Sequence, residues 1–121
     1  MISNCSFNDN MASRAGAAIA VEISRLEIYG SRFLKNYAIL LGGAIKFYQF
    51  AEYSLSEMPG FVIMDCVFEE NGVYDLENSG LLGSAVFIGG DLAEFVILQI
   101  NGSVFRSNRA NLGAGIYIED I

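Results

Sequence analysis

Apolar and polar residues alternate over short stretches of this chain, and the same alternation returns four times. The clearest copy runs from Ile28 to Ala38 and is closed by the stretch from Gly42 to Ile45. Within it, Ser31 and Phe33 lie two residues apart, which is the spacing of neighbours on one face of a β-strand. The pattern predicts short strands joined by tight turns, each strand turning one face to an apolar interior.

The four copies align column by column when they are placed on their phenylalanine. The aromatic column contains Phe7, Phe33, Phe68 and Phe105. An apolar column five residues earlier contains Ile2, Ile28, Ile63 and Ile100. A polar column three residues later contains Asn10, Asn36, Asn71 and Asn108. If equal positions stack, each asparagine amide can donate and accept along its column, which removes the cost of burying it.

Two further columns predict a turn and a small inward residue. The turn column, three residues before the phenylalanine, contains Asn4, Gly30, Asp65 and Gly102. The small-residue column that follows contains Cys5, Ser31, Cys66 and Ser103. Because glycine, asparagine and aspartate tolerate left-handed backbone, we expect the chain to bend at the turn column.

A second strand follows a glycine motif, which is complete only at Gly42-Gly43-Ala44-Ile45 and degenerate at Gly16, Gly83 and Gly113. The residues predicted to point inward on this strand are Ile19 and Val21, Ile45 and Phe47, Val86 and Ile88, and Ile116 and Ile118. The residues predicted to point outward between them are Ala20, Lys46, Phe87 and Tyr117.

Successive phenylalanines lie 26, 35 and 37 residues apart, so each unit is too short to bury its own apolar face and must stack on its neighbours. The sequence therefore predicts an all-β, single-stranded parallel β-helix of about four coils. The units are about 1–25, 26–60, 61–97 and 98–121, and we expect 1–121 to be one segment of a longer array. The alternative is an amphipathic helix from Ala15 to Leu26. The fourfold repeat favours strands there.

Two stretches are longer than the repeat requires, at about 47–60 and 72–82. Insertions on a solenoid form loops, and loops are where recognition is placed. The candidate ligand-binding residues are the aromatic side chains Tyr48, Phe50, Tyr53 and Tyr74. The alternative is that these aromatic residues only anchor the loops, since Phe47 falls in the inward column.

Composition and charge narrow the class of partner. Apolar residues make up 53% of the chain, but no uncharged apolar run approaches the roughly 20 residues of a spanning helix. The net charge is −7, and no basic residue lies between Lys46 and Arg106. We expect no nucleic-acid partner, because such partners need a positive surface, and no membrane span in this segment. We also expect no signal peptide in this segment.

Candidate chemistry is sparse. The chain has no histidine, so it lacks the commonest general base and nitrogen metal ligand. An enzyme would have to use carboxylates, and the candidates near the second insertion are Glu69, Glu70, Asp75 and Glu77. The oxygens of 69–75 and the run Gly89-Gly90-Asp91 are weak calcium candidates, because the EF-hand and nonapeptide patterns are missing. We predict no cofactor, no metal and no catalytic residue.

The two cysteines, Cys5 and Cys66, share one column two stacking steps apart. That separation, about 9 to 10 Å, exceeds the roughly 7 Å limit for a disulfide, so we predict two free, buried thiols. Asn4 and Asn101 fit the N-glycosylation pattern, but asparagine suits the turn column for backbone reasons as well.

The pairing of Phe-x-x-Asn at Phe33 to Asn36 with the glycine motif at Gly42 to Ile45 resembles the repeat of the polymorphic membrane proteins of chlamydiae and related right-handed β-helix proteins. The resemblance covers nearly the whole chain. It implies a right-handed coil and a place in the surface-exposed passenger of an autotransporter adhesin. It also implies a location at the cell surface, in the outer membrane or outside the cell.

The sequence thus predicts a non-catalytic structural or adhesive scaffold that binds a host, protein or glycan partner and neighbours further β-helix coils of a longer chain. The alternative is a carbohydrate-active β-helix enzyme, a polysaccharide lyase or hydrolase, whose catalytic coil is incomplete in this segment.

Overall fold

The computed structural model describes residues 1–22, 25–49, 60–73, 85–90, 97–110 and 112–120. No helix occurs among these residues, and the prediction of an all-β chain is confirmed. The strands of the first two copies are β1 (Ile2–Ser3), β2 (Ser6–Asn8), β3 (Met11–Ala12), β4 (Ile19–Val21), β5 (Arg25–Tyr29), β6 (Arg32–Leu34), β7 (Tyr37–Ala38) and β8 (Ile45–Gln49). Those of the last two are β9 (Gly60–Met64), β10 (Val67–Glu69), β11 (Gly72–Val73), β12 (Val86–Gly90), β13 (Ile97–Asn101), β14 (Val104–Arg106) and β15 (Ile116–Asp120).

Strands that occupy the same place in successive copies pair in parallel. The sheets are β1-β5-β9-β13, β2-β6-β10-β14, β3-β7-β11 and β4-β8-β12-β15. We call the strands of one copy a layer, so that β1 to β4 form layer one and β13 to β15 lie in layer four. Three of the sheets take one strand from every layer, and the sheet β3-β7-β11 takes one from each of the first three, so equivalent strands of successive layers stack on one another. This arrangement is compatible with a solenoid.

The strand register places like residues on each other. The isoleucine column pairs Ile2 with Ile28, Ile28 with Ile63, and Ile63 with Ile100. The phenylalanine column pairs Phe7, Phe33, Phe68 and Phe105 in the same order. On the second strand the pairing follows Ile19, Ile45, Val86 and Ile116. The columns of the sequence are therefore the stacks of the structure.

Left-handed backbone marks the corners of every layer. The predicted turn residues Asn4, Gly30, Asp65 and Gly102 all have φ between 53° and 60°. The sequence pattern did not predict a second left-handed corner, because four different residue types occupy it. It lies directly before the asparagine column and contains Asp9, Lys35, Glu70 and Ser107. A side chain in this conformation costs about 1 kcal/mol, so the backbone bonds that successive layers make there must hold it.

The glycines of the turn column also make room for the layer before them. A Cβ built on Gly30 would lie 2.7 Å from Asn4 Oδ1, and one built on Gly102 would collide with Asp65 Oδ1. The amide or carboxylate of one layer therefore sits over the glycine of the next, which explains the alternation of the two residue types.

Stacked rings fill the centre of the chain. The centroids of Phe7 and Phe33 lie 4.9 Å apart, those of Phe33 and Phe68 4.6 Å, and those of Phe68 and Phe105 4.7 Å, with interplanar angles of 6° or less. Phe33 and Phe68 are fully buried, whereas the two end rings are half-buried. Offset stacking at this spacing adds to the free energy of burying each ring.

The structure corrects four details of the prediction. Phe87 points to the outward side of its strand but is buried, and it stacks on Tyr117 at 5.9 Å. Cys5 is free but exposed rather than buried, because it lies in an end layer. Residues 47–49 belong to β8 and 72–73 to β11, so the first residues of both predicted insertions are strand, while 50–59 and 74–82 lie outside the described residues. The first strands of layers two, three and four begin at residues 25, 60 and 97, one residue before the predicted units.

We expect Phe33→Ala to lower the free energy of unfolding by roughly 3 to 5 kcal/mol, because it empties a fully buried ring site. Phe105→Ala is the matched control, since it removes the same ring from an end layer where only one neighbour stacks on it. Denaturant unfolding followed by far-ultraviolet circular dichroism measures both. An unchanged midpoint for Phe33→Ala, or an equal loss for both variants, would contradict an interior aromatic stack.

Candidate functional site

The asparagine column forms a continuous hydrogen-bonded ladder. The Nδ2 group of Asn36 donates to Asn71 Oδ1 at 2.9 Å and to the Phe7 carbonyl at 2.9 Å, and the backbone N–H of Asn36 donates to Asn71 Oδ1 at 3.0 Å. Asn71 repeats this pattern with Asn108 and Phe33. Asn36 and Asn71 are fully buried. Each amide oxygen accepts two hydrogen bonds and each amide nitrogen donates two, so these buried groups carry no desolvation penalty.

The glycine pair at Gly42 and Gly43 turns the chain into the second strand. Gly42 has a φ of 52°, and a Cβ there would run into the Ile45 carbonyl oxygen. The carbonyl of Gly43 accepts the Ala17 N–H of layer one at 3.1 Å. Both glycines are buried, so their role is backbone geometry rather than contact with a ligand.

Only one of the four predicted ligand-binding aromatic residues can be placed. Tyr48 lies on β8, half-buried, with the Lys46 ammonium 5.2 Å from its ring centroid. Phe50, Tyr53 and Tyr74 lie outside the described residues. Phe47 is buried and packs on Phe61 at 4.9 Å, in keeping with its place in the inward column.

A cleft of about 370 Å³ opens on the outer face of the β4–β8 pair, and it shares with Tyr48 the neighbouring side chain of Lys46. We call it the outer cleft, and it is lined by Arg14, Ala15, Ala20, Glu22, Leu40, Leu41 and Lys46. Ala20 and Lys46 come from the outward positions of β4 and β8, while Arg14, Leu40 and Leu41 come from the corners that precede these strands. Apolar side chains therefore line a pocket that has charged groups at its edge.

Charge in the outer cleft is unbalanced. The Lys46 ammonium lies 2.6 Å from a Glu22 carboxylate oxygen, and the lysine side chain is only 16% exposed. Arg14 is exposed and forms no ion pair within the described ranges. Two cations and one carboxylate leave the cleft with a net positive charge in a chain whose own charge is −7. Such a site favours an anionic group on whatever it binds.

Sequence reasoning missed the outer cleft. The available signals were the outward position of Lys46 and the pair Leu40-Leu41, which is apolar although it precedes a glycine turn. The linear pattern did not show that Arg14 belongs to the same surface, because that depends on the bonds between corners. The N–H groups of Leu40 and Leu41 both donate to the Arg14 carbonyl, at 2.8 and 3.2 Å.

The candidate catalytic carboxylates that can be placed are engaged by cations. Glu69 accepts hydrogen bonds from Arg106 at 3.1 Å and from Arg32 at 3.0 Å. The bond from Arg106, ahead of the contribution of Arg32, lowers the pKa of Glu69 below its ordinary value of 4.5. The Oε2 atom of Glu70 lies 3.9 Å from Lys35 Nζ. A general acid needs a raised pKa, so Glu69 is unsuited to that role. Asp75 and Glu77 lie outside the described residues.

No three His, Cys, Asp or Glu side chains within the described ranges come together as ligands for an ion. Gly89 and Gly90 of the weak calcium candidate are buried residues of β12, and Asp91 lies outside the described residues. In the described part, no helix has the length and apolar character to cross a membrane.

Comparisons with protein-family models, with curated proteins and with solved structures find no match to this chain. Inferences about its role therefore depend on the geometry of its own residues.

The two thiols differ in environment, which gives a test of the strand register. Cys66 is fully buried, its Sγ lies 3.2 Å from the Met64 carbonyl oxygen, and burial raises the pKa of its thiol. Because the thiolate is the reactive form, we expect a thiol reagent to modify Cys5 rapidly in the native chain and Cys66 only after unfolding. Cys66→Ser and Cys5→Ser assign the two phases. Equal reaction of both thiols in the native state would contradict the register.

Proposed function

We propose that this chain is a right-handed, single-stranded parallel β-helix of about four coils and that it acts as a non-catalytic scaffold which presents a recognition surface to a protein or glycan partner. The single observation that carries the proposal is the in-register stacking of layers. Most polar side chains in the interior form hydrogen bonds with an adjacent layer. The stacked layers therefore make a rigid support for an outer face.

The surface we assign to recognition is the outer cleft together with Tyr48. Its apolar lining can take up the body of a ligand, and the tyrosine ring offers a surface for a sugar or an apolar side chain. The surplus cation at Arg14 selects a carboxylate. The partner we propose is therefore a carboxylate-bearing one, either an acidic glycan or an acidic segment of a protein.

The resemblance to the chlamydial polymorphic membrane proteins supports an adhesive role at a cell surface, in an outer membrane or outside the cell, in which this segment adjoins further β-helix coils. The acidic surface agrees with such a role, because it disfavours nonspecific binding to nucleic acid and to anionic membranes.

An array of acidic and neutral glycans, paired with acidic peptides, tests the proposal when binding and the release of reducing ends are followed together. We expect saturable binding to carboxylate-bearing probes without release of sugar. Arg14→Ala should weaken it by tenfold or more, since one charge-assisted hydrogen bond contributes roughly 1.5 to 3 kcal/mol. Tyr48→Ala should weaken it as well, because it removes the ring surface on which the ligand packs.

Arg109→Ala is the matched control, because Arg109 is also exposed but lies in layer four, where its backbone pairs with Gly72, and is not among the residues that line the outer cleft. Its loss should leave binding unchanged. Equal losses from Arg14→Ala and Arg109→Ala would remove the cleft from the proposal. Release of sugar would overturn the non-catalytic role.

A further inference from the structure

The outer cleft lies where layer one carries alanine at two positions that hold larger side chains in the later layers. Ala15 pairs with Leu41 of layer two, and the residue before the motif glycine is again leucine at positions 82 and 112. Ala20 begins the outward column that continues with Lys46, Phe87 and Tyr117. The cleft therefore occupies the space that a leucine and a long or aromatic side chain would fill in layer one.

The outer cleft faces away from the stack rather than along it. Ala20 and Lys46, which line it, are at the outward positions of β4 and β8. A coil stacked on layer one would extend the sheet beside the cleft and would leave these outward positions in place. The space in front of the two alanines is thus a feature of the side wall.

The walls of the outer cleft suit an aliphatic group better than a sugar ring. Of the seven described residues that line it, four are apolar, namely Ala15, Ala20, Leu40 and Leu41, and the other three are charged. Within the described part of the chain, no uncharged polar side chain lines it. A sugar brings several hydroxyl groups, and each one costs free energy when it leaves water unless the site supplies a hydrogen bond.

The charged groups leave one cation for a ligand. The Lys46 ammonium is already engaged by the Glu22 carboxylate, whereas Arg14 is exposed. The Arg14 carbonyl accepts the N–H groups of Leu40 and Leu41, so the backbone of the arginine is fixed beside the leucine wall. This arrangement selects a ligand in which one carboxylate lies next to an aliphatic group.

The last residue of a polypeptide carries both groups on a single Cα atom. Inside an extended peptide, neighbouring side chains point to opposite faces, so an acidic residue and an adjacent apolar one do not enter the same cleft together. The volume of about 370 Å³ is near the lower end of the roughly 300 to 1,000 Å³ of ligand pockets, which favours a single residue over a longer segment. Capture of a C-terminal carboxylate is a recurring mode of peptide recognition.

We propose that the outer cleft binds the C-terminal residue of a partner protein, and that this residue has a branched aliphatic side chain. The side chain fills the space in front of Ala15 and Ala20 and packs on Leu40 and Leu41. The terminal carboxylate accepts charge-assisted hydrogen bonds from the Arg14 guanidinium. This inference rests on the proposed function, and it selects a protein as the partner and the end of its chain as the group that is bound.

Fluorescence anisotropy with N-terminally labelled hexapeptides tests the inference on the intact chain. The peptides share their first five uncharged residues and end in leucine with a free carboxylate, in leucine amide or in glycine with a free carboxylate. We expect the free leucine peptide to bind, and we expect both the amide and the glycine peptide to bind at least tenfold more weakly. Equal binding of the free acid and the amide, or of leucine and glycine, would overturn the inference.

Two further probes separate this inference from the proposed function and from a small-molecule ligand. If an amidated peptide with an internal aspartate, or an acidic glycan, depends on Arg14 and binds more tightly than the free leucine peptide, the C-terminal inference is wrong and the proposed function stands. If no carboxylate-bearing probe binds, both are wrong. The acid 4-methylpentanoate has the same two groups without a peptide backbone, and we expect it to compete at least tenfold more weakly. Equal competition would overturn the assignment to a protein.

Variants of Ala15 test the position of the site. Ala15→Leu restores the leucine of the later layers and fills the cleft without changing its charge, whereas Ala15→Ser is the matched control that keeps the space open. We expect Ala15→Leu to weaken binding of the free leucine peptide by tenfold or more and Ala15→Ser to leave it within about twofold, with the circular dichroism spectrum unchanged in both. Equal affinity of the two variants would overturn the assigned site.

Arg14→Gln gives a second test that does not alter the apolar walls. It should weaken binding of the free leucine peptide by tenfold or more and leave the weak binding of the amide unchanged, because only the free acid uses the guanidinium. An equal loss for both peptides would contradict a bond between Arg14 and the terminal carboxylate.

Discussion

The fold depends on one constraint, which is that every buried asparagine amide must find its partners in the layers on either side of it. Asn36 and Asn71 have no access to water, so a shift of one residue between layers would leave donors and acceptors unpaired in the interior, at a cost of about 1 to 3 kcal/mol for each group. Apolar stacks tolerate small slips, because one branched side chain packs about as well as another. The asparagine ladder does not tolerate such slips, so it fixes the register of the strands. The isoleucine and phenylalanine columns then pack in that register.

The register of the strands also determines which side chains become neighbours on the outer surface. A strand has two faces, so fixing the inward face also fixes which side chains point out. Lys46 and Ala20 become neighbours on the outer wall because Ile45 and Ile19 are paired inside. Glu69 meets both Arg106 and Arg32 because Phe68 lies between Phe105 and Phe33. The charge pattern of the surface, and with it the outer cleft, is thus a consequence of the core.

Much of the fold could be predicted from the sequence because each column repeats one residue type. The asparagine column, the aromatic column and the glycine-rich turn all follow from periodicity and turn chemistry. The second left-handed corner could not be predicted, since only Asp9 among its residues Asp9, Lys35, Glu70 and Ser107 is of a type that favours left-handed backbone. The N–H groups of Asp9, Lys35 and Glu70 donate to the layer that follows. Phe87 was predicted to be on the surface only because alternate residues of a strand point outward. That alternation does not show which other side chains pack on the outward residue. The outer cleft escaped for a similar reason, because Arg14 joins it through contacts between corners.

Hydrogen exchange of the asparagine side-chain amides, followed by nuclear magnetic resonance, measures the central constraint directly. Asn8 provides an internal reference, because its side chain is exposed on the outer face of β2. We expect the Nδ2 hydrogens of Asn36 and Asn71 to persist long after those of Asn8 have exchanged, and to be lost only with global unfolding. Exchange of the interior amides as fast as that of Asn8 would contradict a buried ladder and, with it, the in-register stacking of the layers.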